Sequence, residues 1–137
     1  MTLAIEKSAE ITEASIRLLV NAFYARVRVD STLGPIFARA LTGDWEPHLQ
    51  KMVAFWSSVM LTSGRYKGNP VVRHLAIPGM TPELFTHWLI LFDASCRELF
   101  DDGVRAAFRG KAERIAESLK LALFYRPDRP WPPGPAS

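Results

Sequence analysis

The chain has 137 residues, a length that allows one domain with a substantial core and leaves no room for a second domain. Hydrophobic residues make up 48% of the chain and charged residues 23%, a balance that excludes a disordered or fibrous protein. Seventeen basic and fourteen acidic residues give a net charge of +3, and the basic residues are scattered among acidic ones, which argues against a nucleic-acid-binding protein.

The cysteine content and the N-terminal residues bear on the cellular compartment. Cys96 is the single cysteine, so an internal disulfide is excluded and a reducing compartment is expected. The N-terminal residues include acidic side chains and no long apolar run, unlike a secretory or transit peptide. No segment has the roughly eighteen consecutive apolar residues that are needed to span a bilayer. We therefore predict a soluble, cytoplasmic protein that does not bind a membrane.

The first predicted helix runs from Thr12 to about Asp30. The segment 30–35 is rich in turn-forming residues and is predicted to break this helix. A short turn or helix that begins at Ile36 and leads to Gly43 follows. The apolar residues of the first helix recur at three- and four-residue steps and so share one face: Ile16, Leu19, Val20, Phe23, Tyr24 and Val27.

The second long helix is predicted from Asp44 to Ser63. Asp44 is a suitable N-cap, and Gly64 is expected to end the helix. Residues 64–70 contain two glycines and one proline and are predicted to be irregular. The following segment, 71–76, is long enough for only one or two helical turns.

Two further helices complete the predicted fold. Thr81 and Pro82 form a strong start signal, because threonine caps a helix and proline suits its first position. The apolar stripe that follows extends to Leu99. A turn at 101–103 separates it from a last helix over residues 104–125. No segment has the alternation expected of a strand, so we predict an all-α fold.

The globular domain is predicted to comprise residues 1–126. The C-terminal tail, residues 127–137, holds five of the ten prolines, so it cannot continue a helix. We predict that this tail is disordered and assign it no function. No internal repeat or low-complexity segment interrupts the domain.

The chain has three histidines that are candidates for a catalytic or metal-binding role. His48, Met52 and Phe55 are spaced by four and three residues in the second long helix, so they share one largely apolar face. An isolated histidine at such a position is usually hydrogen-bonded to backbone or water, and His74, in a short segment, has the same simple explanation. His87 lies off the apolar stripe of its helix and is interpreted as a surface residue.

The order and spacing of residues across the chain are more specific than any single residue. The pattern covers roughly residues 12–126 and resembles the group III truncated haemoglobins. Single motifs within it are weak, whereas their joint occurrence at these intervals is a strong signal. The residues that carry the resemblance are Phe23 and Tyr24, Leu33 to Phe37, Trp45, His48, Phe55 and Trp56, Gly68 to Pro70, His74 and Leu75, Trp88 and Leu89, and Leu91 and Phe92.

The resemblance implies a truncated globin fold, in which helices pack two over two around haem b. His74 matches the proximal histidine, so its imidazole would bind the haem iron as the sole permanent protein ligand. Tyr24, His48 and Trp88 match the polar distal residues that face the exchangeable ligand site. The chain has no Cys-x-x-Cys-His attachment motif, so the haem is expected to be noncovalent.

Further haem contacts follow from the same resemblance. Phe37 matches the aromatic residue that packs on the porphyrin edge, and Met52 takes an apolar distal position. Phe55 is a further cofactor contact or simply core packing. Lys51 and Arg73 are candidates to neutralise the haem propionates or are solvated surface charges.

The implied function is reversible binding of oxygen, and of nitric oxide or carbon monoxide, at the haem iron. Hydrogen bonds from Tyr24 and Trp88 would stabilise bound oxygen by about 1–3 kcal/mol each and slow its release. His48 would gate the pocket or bind the iron itself when no ligand is present. An enzyme that acts on nitric oxide or peroxide, with a reductase partner, is the alternative, and no catalytic residue is assigned. We expect a monomer.

A helical interaction or DNA-binding module without haem is the competing class. It would need a basic recognition helix, whereas Arg105, Arg109, Lys111 and Arg114 are interrupted by apolar and acidic residues. A carboxylate-bridged di-iron bundle would need paired Glu-x-x-His motifs, which the chain lacks. A zinc site is disfavoured because the three histidines and Cys96 lie far apart in the sequence.

Overall fold

The computed structural model describes residues 7–75, 77 and 79–125 of the chain. Helices and no strand lie within these residues, which confirms the predicted all-α class. The predicted domain end at residue 126 and the tail 127–137 lie outside the described residues. No helix in the described part of the chain is long and apolar enough to cross a membrane. The helices are α1 (Glu13–Val29), α2 (Leu33–Ala40), α3 (Glu46–Leu61), α4 (Pro70–Leu75), α5 (Pro82–Leu99) and α6 (Asp102–Phe124).

Helix α1 begins where the sequence predicts. The Thr12 hydroxyl accepts a hydrogen bond from the N–H of Ser15 at 3.1 Å, and the Ser15 hydroxyl accepts one from the N–H of Thr12 at 2.9 Å. This reciprocal capping box satisfies donors that the start of a helix leaves unpaired. The predicted apolar face is buried, from Ile16 to Val27, and forms the centre of the core.

The segment after α1 differs from its prediction, because α2 already begins at Leu33 and runs through Pro35. The Asp30 carboxylate accepts hydrogen bonds from the N–H groups of Thr32 and Leu33, at 3.1 and 2.8 Å, and so starts the helix. Pro35 is tolerated because a residue in the first helical turn has no N–H partner within the helix. The predicted break over 30–35 was therefore too long.

Gly34 lets α2 pack closely against the end of α1. A Cβ atom at this position would lie 3.1 Å from the carbonyl oxygens of both Val27 and Arg28, and backbone atoms cannot easily move away. The N–H of Gly34 also donates to the carbonyl oxygen of Asp30 at 2.9 Å. Backbone contacts thus define the corner between α1 and α2.

Helix α3 is close to its prediction but shorter at both ends. It begins at Glu46, and the Asp44 carboxylate accepts a hydrogen bond from the N–H of Glu46 at 3.0 Å, so Asp44 acts just ahead of the cap position. The helix ends at Leu61, because Thr62 adopts the left-handed conformation with φ of 53° and stops the helix before Gly64.

The last three helices follow the prediction with one clear correction. Helix α4 begins at Pro70, one residue early, and its predicted end at residue 76 lies outside the described residues. Helix α5 begins at the predicted proline. Helix α6 begins at Asp102 rather than after a turn at 101–103, because the Asp101 carboxylate caps it through the N–H of Val104 at 2.9 Å.

Two helix pairs stack to form the fold. Helix α1 packs against α3, α5 packs against α6, and α1 contacts α5 between the pairs. This is the two-over-two arrangement that the resemblance implies. Trp56, Phe92 and Phe108 meet in the core, where the rings of Trp56 and Phe92 stack at 4.8 Å. Cys96 is fully buried in the same core.

One buried charge joins α5 to α6. Asp93 is 4% exposed, and its carboxylate accepts hydrogen bonds from Arg105 at 2.8 and 2.9 Å. Arg109 and Arg97 pair with the same carboxylate at 2.8 and 3.3 Å. The bond from Arg105, together with the charge of Arg109, holds the pKa of Asp93 below its usual value against the opposing effect of burial. Arg105 and Arg109, two of the residues considered for a DNA-binding helix, therefore form ion pairs within the fold.

Candidate functional site

A cavity of about 180 Å³ lies within the helical bundle. All six helices contribute to its lining, which is mostly apolar. An apolar cavity of about 150 Å³ already accepts a benzene-sized guest, so this cavity has room for a flat organic group. The lining residues that bring a hydroxyl, imidazole or indole N–H group are Tyr24, His48, Trp56, Tyr66, His74 and Trp88.

His74 lies in the short helix α4, and a hydrogen bond sets the orientation of its ring. The Nδ1 atom lies 2.6 Å from the carbonyl oxygen of Pro70, one helical turn earlier. A carbonyl oxygen can only accept, so in the neutral ring Nδ1 carries the proton and Nε2 keeps its lone pair. The ring packs on Phe85 with centroids 5.9 Å apart. His74 therefore has the tautomer that a metal-binding histidine needs, and it lines the cavity.

The three predicted distal residues come from three different helices and line the same cavity. Tyr24 of α1 and His48 of α3 lie edge to face, with ring centroids 5.1 Å apart and planes at 88°. Trp88 of α5 stacks on Phe92 at 5.1 Å and meets the edge of Phe23 at 5.6 Å. The packing of α1 against α3 and α5 thus places the three side chains on the lining of one cavity.

The hydroxyl of Tyr24 is a neutral hydrogen-bond donor. The side chain is buried, and burial raises the pKa of the hydroxyl above its usual value. Its ring meets the rings of Phe23, Phe37, Trp45 and His48, and its hydroxyl makes no hydrogen bond within the described residues. The hydroxyl is therefore available to a ligand in the cavity.

His48 has a buried nitrogen atom without a partner. Its Nε2 makes no hydrogen bond to any residue that the structure describes. Burial lowers the pKa of His48 to about 4, helped by the positive charges of Lys51 and Arg73. The ring is therefore neutral at physiological pH. A buried polar atom of this kind usually finds its partner in a water molecule or a ligand.

The other predicted haem contacts divide into lining residues and surface residues. Phe37, Met52 and Phe55 line the cavity. The side chains of Lys51 and Arg73 are exposed and do not belong to the lining. Their charges nevertheless act on the imidazole of α3, so both lie within electrostatic range of the cavity.

Tyr66 was not singled out from the sequence, although it lines the cavity. It comes from the segment between α3 and α4, and its N–H donates to the Ser58 hydroxyl at 3.0 Å, which holds this segment against α3. Gly68 makes room for the ring, because a Cβ there would lie 2.5 Å from the Tyr66 hydroxyl. That glycine, in a segment predicted to be irregular, was the available signal. Apolar lining residues that were also not predicted as site residues include Met80, Leu84, Ile115 and Leu119.

His87, interpreted from the sequence as a surface residue, has a polar partner in the structure. Its Nε2 lies 2.9 and 2.8 Å from the two carboxylate oxygens of Asp30. Asp30 also starts α2, so the pair joins α5 to the corner between α1 and α2. No local pattern could reveal this contact, because the two residues lie 57 positions apart in the sequence.

The donor set determines which kind of metal centre the cavity could form. Within the described residues, no three histidine, cysteine, aspartate or glutamate side chains lie close enough to hold a metal ion. A single oriented imidazole beside a mostly apolar cavity suits a metal whose other ligands come from a planar macrocycle.

The chain is similar to a protein of known family. The group 3 truncated hemoglobin ctb of Campylobacter jejuni is 35% identical over 121 residues, which cover 86% of this chain and 95% of that protein. The crystal structure of the group III truncated hemoglobin from Campylobacter jejuni matches with a TM-score of 0.83 at 34% identity, covering 87% of this chain and 96% of that chain. No protein-family model matches the chain.

Proposed function

This chain belongs to the group III truncated haemoglobins, and from that membership we propose that it holds one noncovalent haem b with His74 as the iron ligand. The observation that carries the proposal is the hydrogen bond between His74 Nδ1 and the carbonyl oxygen of Pro70 at 2.6 Å. This bond orients the ring and leaves the lone pair on Nε2, as in metal-bound histidines generally. Family membership also favours this function over a helical interaction module.

The residues that line the cavity fit a haem group. Phe37, Met52 and Phe55 offer apolar surface to a porphyrin. The Nε2 atom of His48, which has no partner within the described residues, would gain one from a ligand beside the haem. Lys51 and Arg73 supply positive charge for the propionates, and exposed ion pairs of this kind contribute about 0–1 kcal/mol each.

The distal residues act through hydrogen bonding. Haem, when bound, would supply an iron that takes oxygen, nitric oxide or carbon monoxide as a ligand. The Tyr24 hydroxyl and the Trp88 indole N–H are donors on the cavity lining, and a ligand that gains negative charge on binding accepts their hydrogen bonds best. Oxygen gains such charge and carbon monoxide does not. We therefore propose reversible gas binding with slow release of oxygen.

His48 is neutral at physiological pH, because its pKa is lowered to about 4. A neutral ring can bind iron through Nε2 or swing aside as a gate. The spectrum of the reduced protein distinguishes the two roles. A six-coordinate spectrum that becomes five-coordinate in His48→Leu would make His48 an iron ligand, whereas a five-coordinate spectrum in both proteins would exclude that role; faster ligand entry in His48→Leu would then support a gate.

Titration of the purified protein with hemin tests the haem site. We expect a stoichiometric, sharp Soret band that is lost or shifted in His74→Ala and restored in His74→Gly by added imidazole. His48→Leu is the matched control, since it removes the other cavity histidine and should keep the stoichiometry. A free-hemin spectrum in the wild type, or a wild-type spectrum in His74→Ala, would refute the proposal.

Nitric-oxide oxidation is a second candidate function. It is favoured by the donors Tyr24 and Trp88, which could stabilise negatively charged oxygen species in a mostly apolar cavity. Such turnover would need a reductase to return the iron to its ferrous state. Steady-state consumption of nitric oxide in the presence of oxygen and a reductase is the test. Turnover no faster than that of free haem would exclude this activity.

A further inference from the structure

We propose that His87 and Asp30 form a positioning pair that holds Trp88 in its orientation in the cavity. The inference rests on the proposed function, because this orientation matters when a gas ligand binds beside Trp88. His87 directly precedes Trp88 on α5, and its Nε2 lies 2.9 and 2.8 Å from the two Asp30 carboxylate oxygens. Neighbouring residues on one helix rotate together about its axis, so a contact that fixes His87 restrains Trp88.

Asp30 is a rigid anchor for this contact. One of its carboxylate oxygens also accepts hydrogen bonds from the N–H groups of Thr32 and Leu33, at 3.1 and 2.8 Å. Its backbone N–H donates to Val27 at 3.1 Å, and its carbonyl oxygen accepts from Gly34 at 2.9 Å. Because backbone groups of α1 and α2 hold Asp30 on several sides, the carboxylate cannot follow His87 if α5 rotates.

The aromatic contacts of Trp88 cannot replace this restraint. Its ring stacks on Phe92 and meets the edge of Phe23, with centroids 5.1 and 5.6 Å apart. Stacked and edge-to-face ring contacts have broad energy minima, so they keep the ring buried while tolerating sliding and small rotations. A hydrogen bond weakens steeply when its angle changes, so the His87 contact restrains the rotation of α5 that the ring contacts allow.

A second polar contact between α1 and α5 provides an internal comparison. Arg26 donates to the Ser95 hydroxyl at 3.3 Å and pairs with Glu98 at 2.8 Å. Ser95 lies about two helical turns beyond Trp88 along α5. If only the general attachment of α5 to α1 mattered, loss of the Arg26 contact would act like loss of the His87 contact. If the local restraint matters, only the His87 contact should affect Trp88.

The test compares His87→Ala with His87→Gln, which can still donate to Asp30, and with Arg26→Ala as the matched control, which removes the donor to Ser95 and Glu98. Oxygen and carbon monoxide dissociation rates are measured in the haem-loaded proteins. The indole N–H signal of Trp88, assigned with Trp88→Phe, is measured by NMR in each protein as purified. We expect His87→Ala to speed oxygen release about fivefold, equivalent to about 1 kcal/mol, and carbon monoxide release by less than about twofold.

The supporting result also includes a shifted Trp88 signal in His87→Ala, recovery of the rates and the signal in His87→Gln, and no change in Arg26→Ala. Three results would overturn the inference: an unshifted Trp88 signal with unchanged rates, equal acceleration of both gases, or the same effect from Arg26→Ala. If His87→Ala fails to fold, His87→Leu decides, because it fills the space of the ring and cannot donate to Asp30. A wild type that binds no haem would refute the proposed function, and the Trp88 signal would then still decide the positioning pair.

Discussion

Replacing Tyr24 by phenylalanine removes one hydroxyl group from the cavity and keeps the ring that packs there. The ring lies 5.7 Å from Phe37 and 5.1 Å from His48, and phenylalanine preserves both contacts. A hydrogen bond to a charged acceptor is worth about 1.5–3 kcal/mol. Loss of that bond to bound oxygen should speed oxygen dissociation about 10- to 150-fold, because each factor of ten corresponds to about 1.4 kcal/mol.

The same substitution should hardly affect the fold. The Tyr24 side chain packs in the hydrophobic core, and its hydroxyl makes no hydrogen bond within the described residues, so Tyr24→Phe breaks none there. We expect the free energy of unfolding to change by less than about 1 kcal/mol. Fast oxygen release without a loss of stability would separate the binding role of the hydroxyl from the packing role of the ring.

Stopped-flow measurement of oxygen and carbon monoxide dissociation is the assay. Carbon monoxide carries little charge, so its release should change far less than that of oxygen. Tyr66→Phe is the matched control, because it removes a hydroxyl from the same cavity lining without touching the distal residues, and it should leave the oxygen rate unchanged. Equal acceleration of both gases in Tyr24→Phe, or an unchanged oxygen rate, would refute the reasoning.

Three further predictions concern stability and pH. Asp93→Asn removes the buried carboxylate that three arginines share, so the free energy of unfolding, measured in urea at pH 7, should fall by about 3 kcal/mol. The pKa of Asp93 is lowered in the folded chain, so this stabilisation is present above the unfolded pKa of about 4 and is lost as the pH falls through the folded pKa. A difference in unfolding free energy between wild type and variant that does not change with pH would contradict this prediction. Gly34→Ala should destabilise by about 1–3 kcal/mol, because its Cβ meets backbone oxygens at 3.1 Å, whereas Gly110→Ala, with nothing within 4 Å, should stabilise α6 by about 0.5–1 kcal/mol. Thermal unfolding checks both glycine variants, and equal effects would count against the close packing of α2. The pKa of His48 is about 4 in the folded chain and about 6.5 when unfolded, so acidification across this window favours unfolding and His48→Leu should reduce that sensitivity; coincident pH profiles would argue against it.

Helix positions were largely predictable, and the errors have a common cause. The start of α1 follows from Thr12 and the apolar periodicity, which are local signals. The start of α2 was wrong because turn-forming residues also suit a first helical turn, and the Asp30 carboxylate decides between the two. The start of α6 was wrong for the same reason, since Asp101 caps a helix that includes the predicted turn.

The candidate site was predictable mainly through its resemblance to a family. Periodicity along single helices does not predict that four residues far apart in the sequence line one cavity: Tyr24, His48, His74 and Trp88. Their roles toward haem stay predictions, as do the monomeric state, the cytoplasmic location and the reductase partner. Tyr66 was missed because it comes from an irregular segment, whose path depends on contacts with α3.

By itself, the sequence determined the all-α class and which face of each long helix is apolar, because both follow from residue spacing along a single helix. Only the tertiary structure decided how charges and rings from different helices meet. It pairs His87 with Asp30 across 57 positions and gives Asp93 its arginine partners from α6. Such contacts depend on the distance and rotation of packed helices, and spacing along one helix carries no information about them.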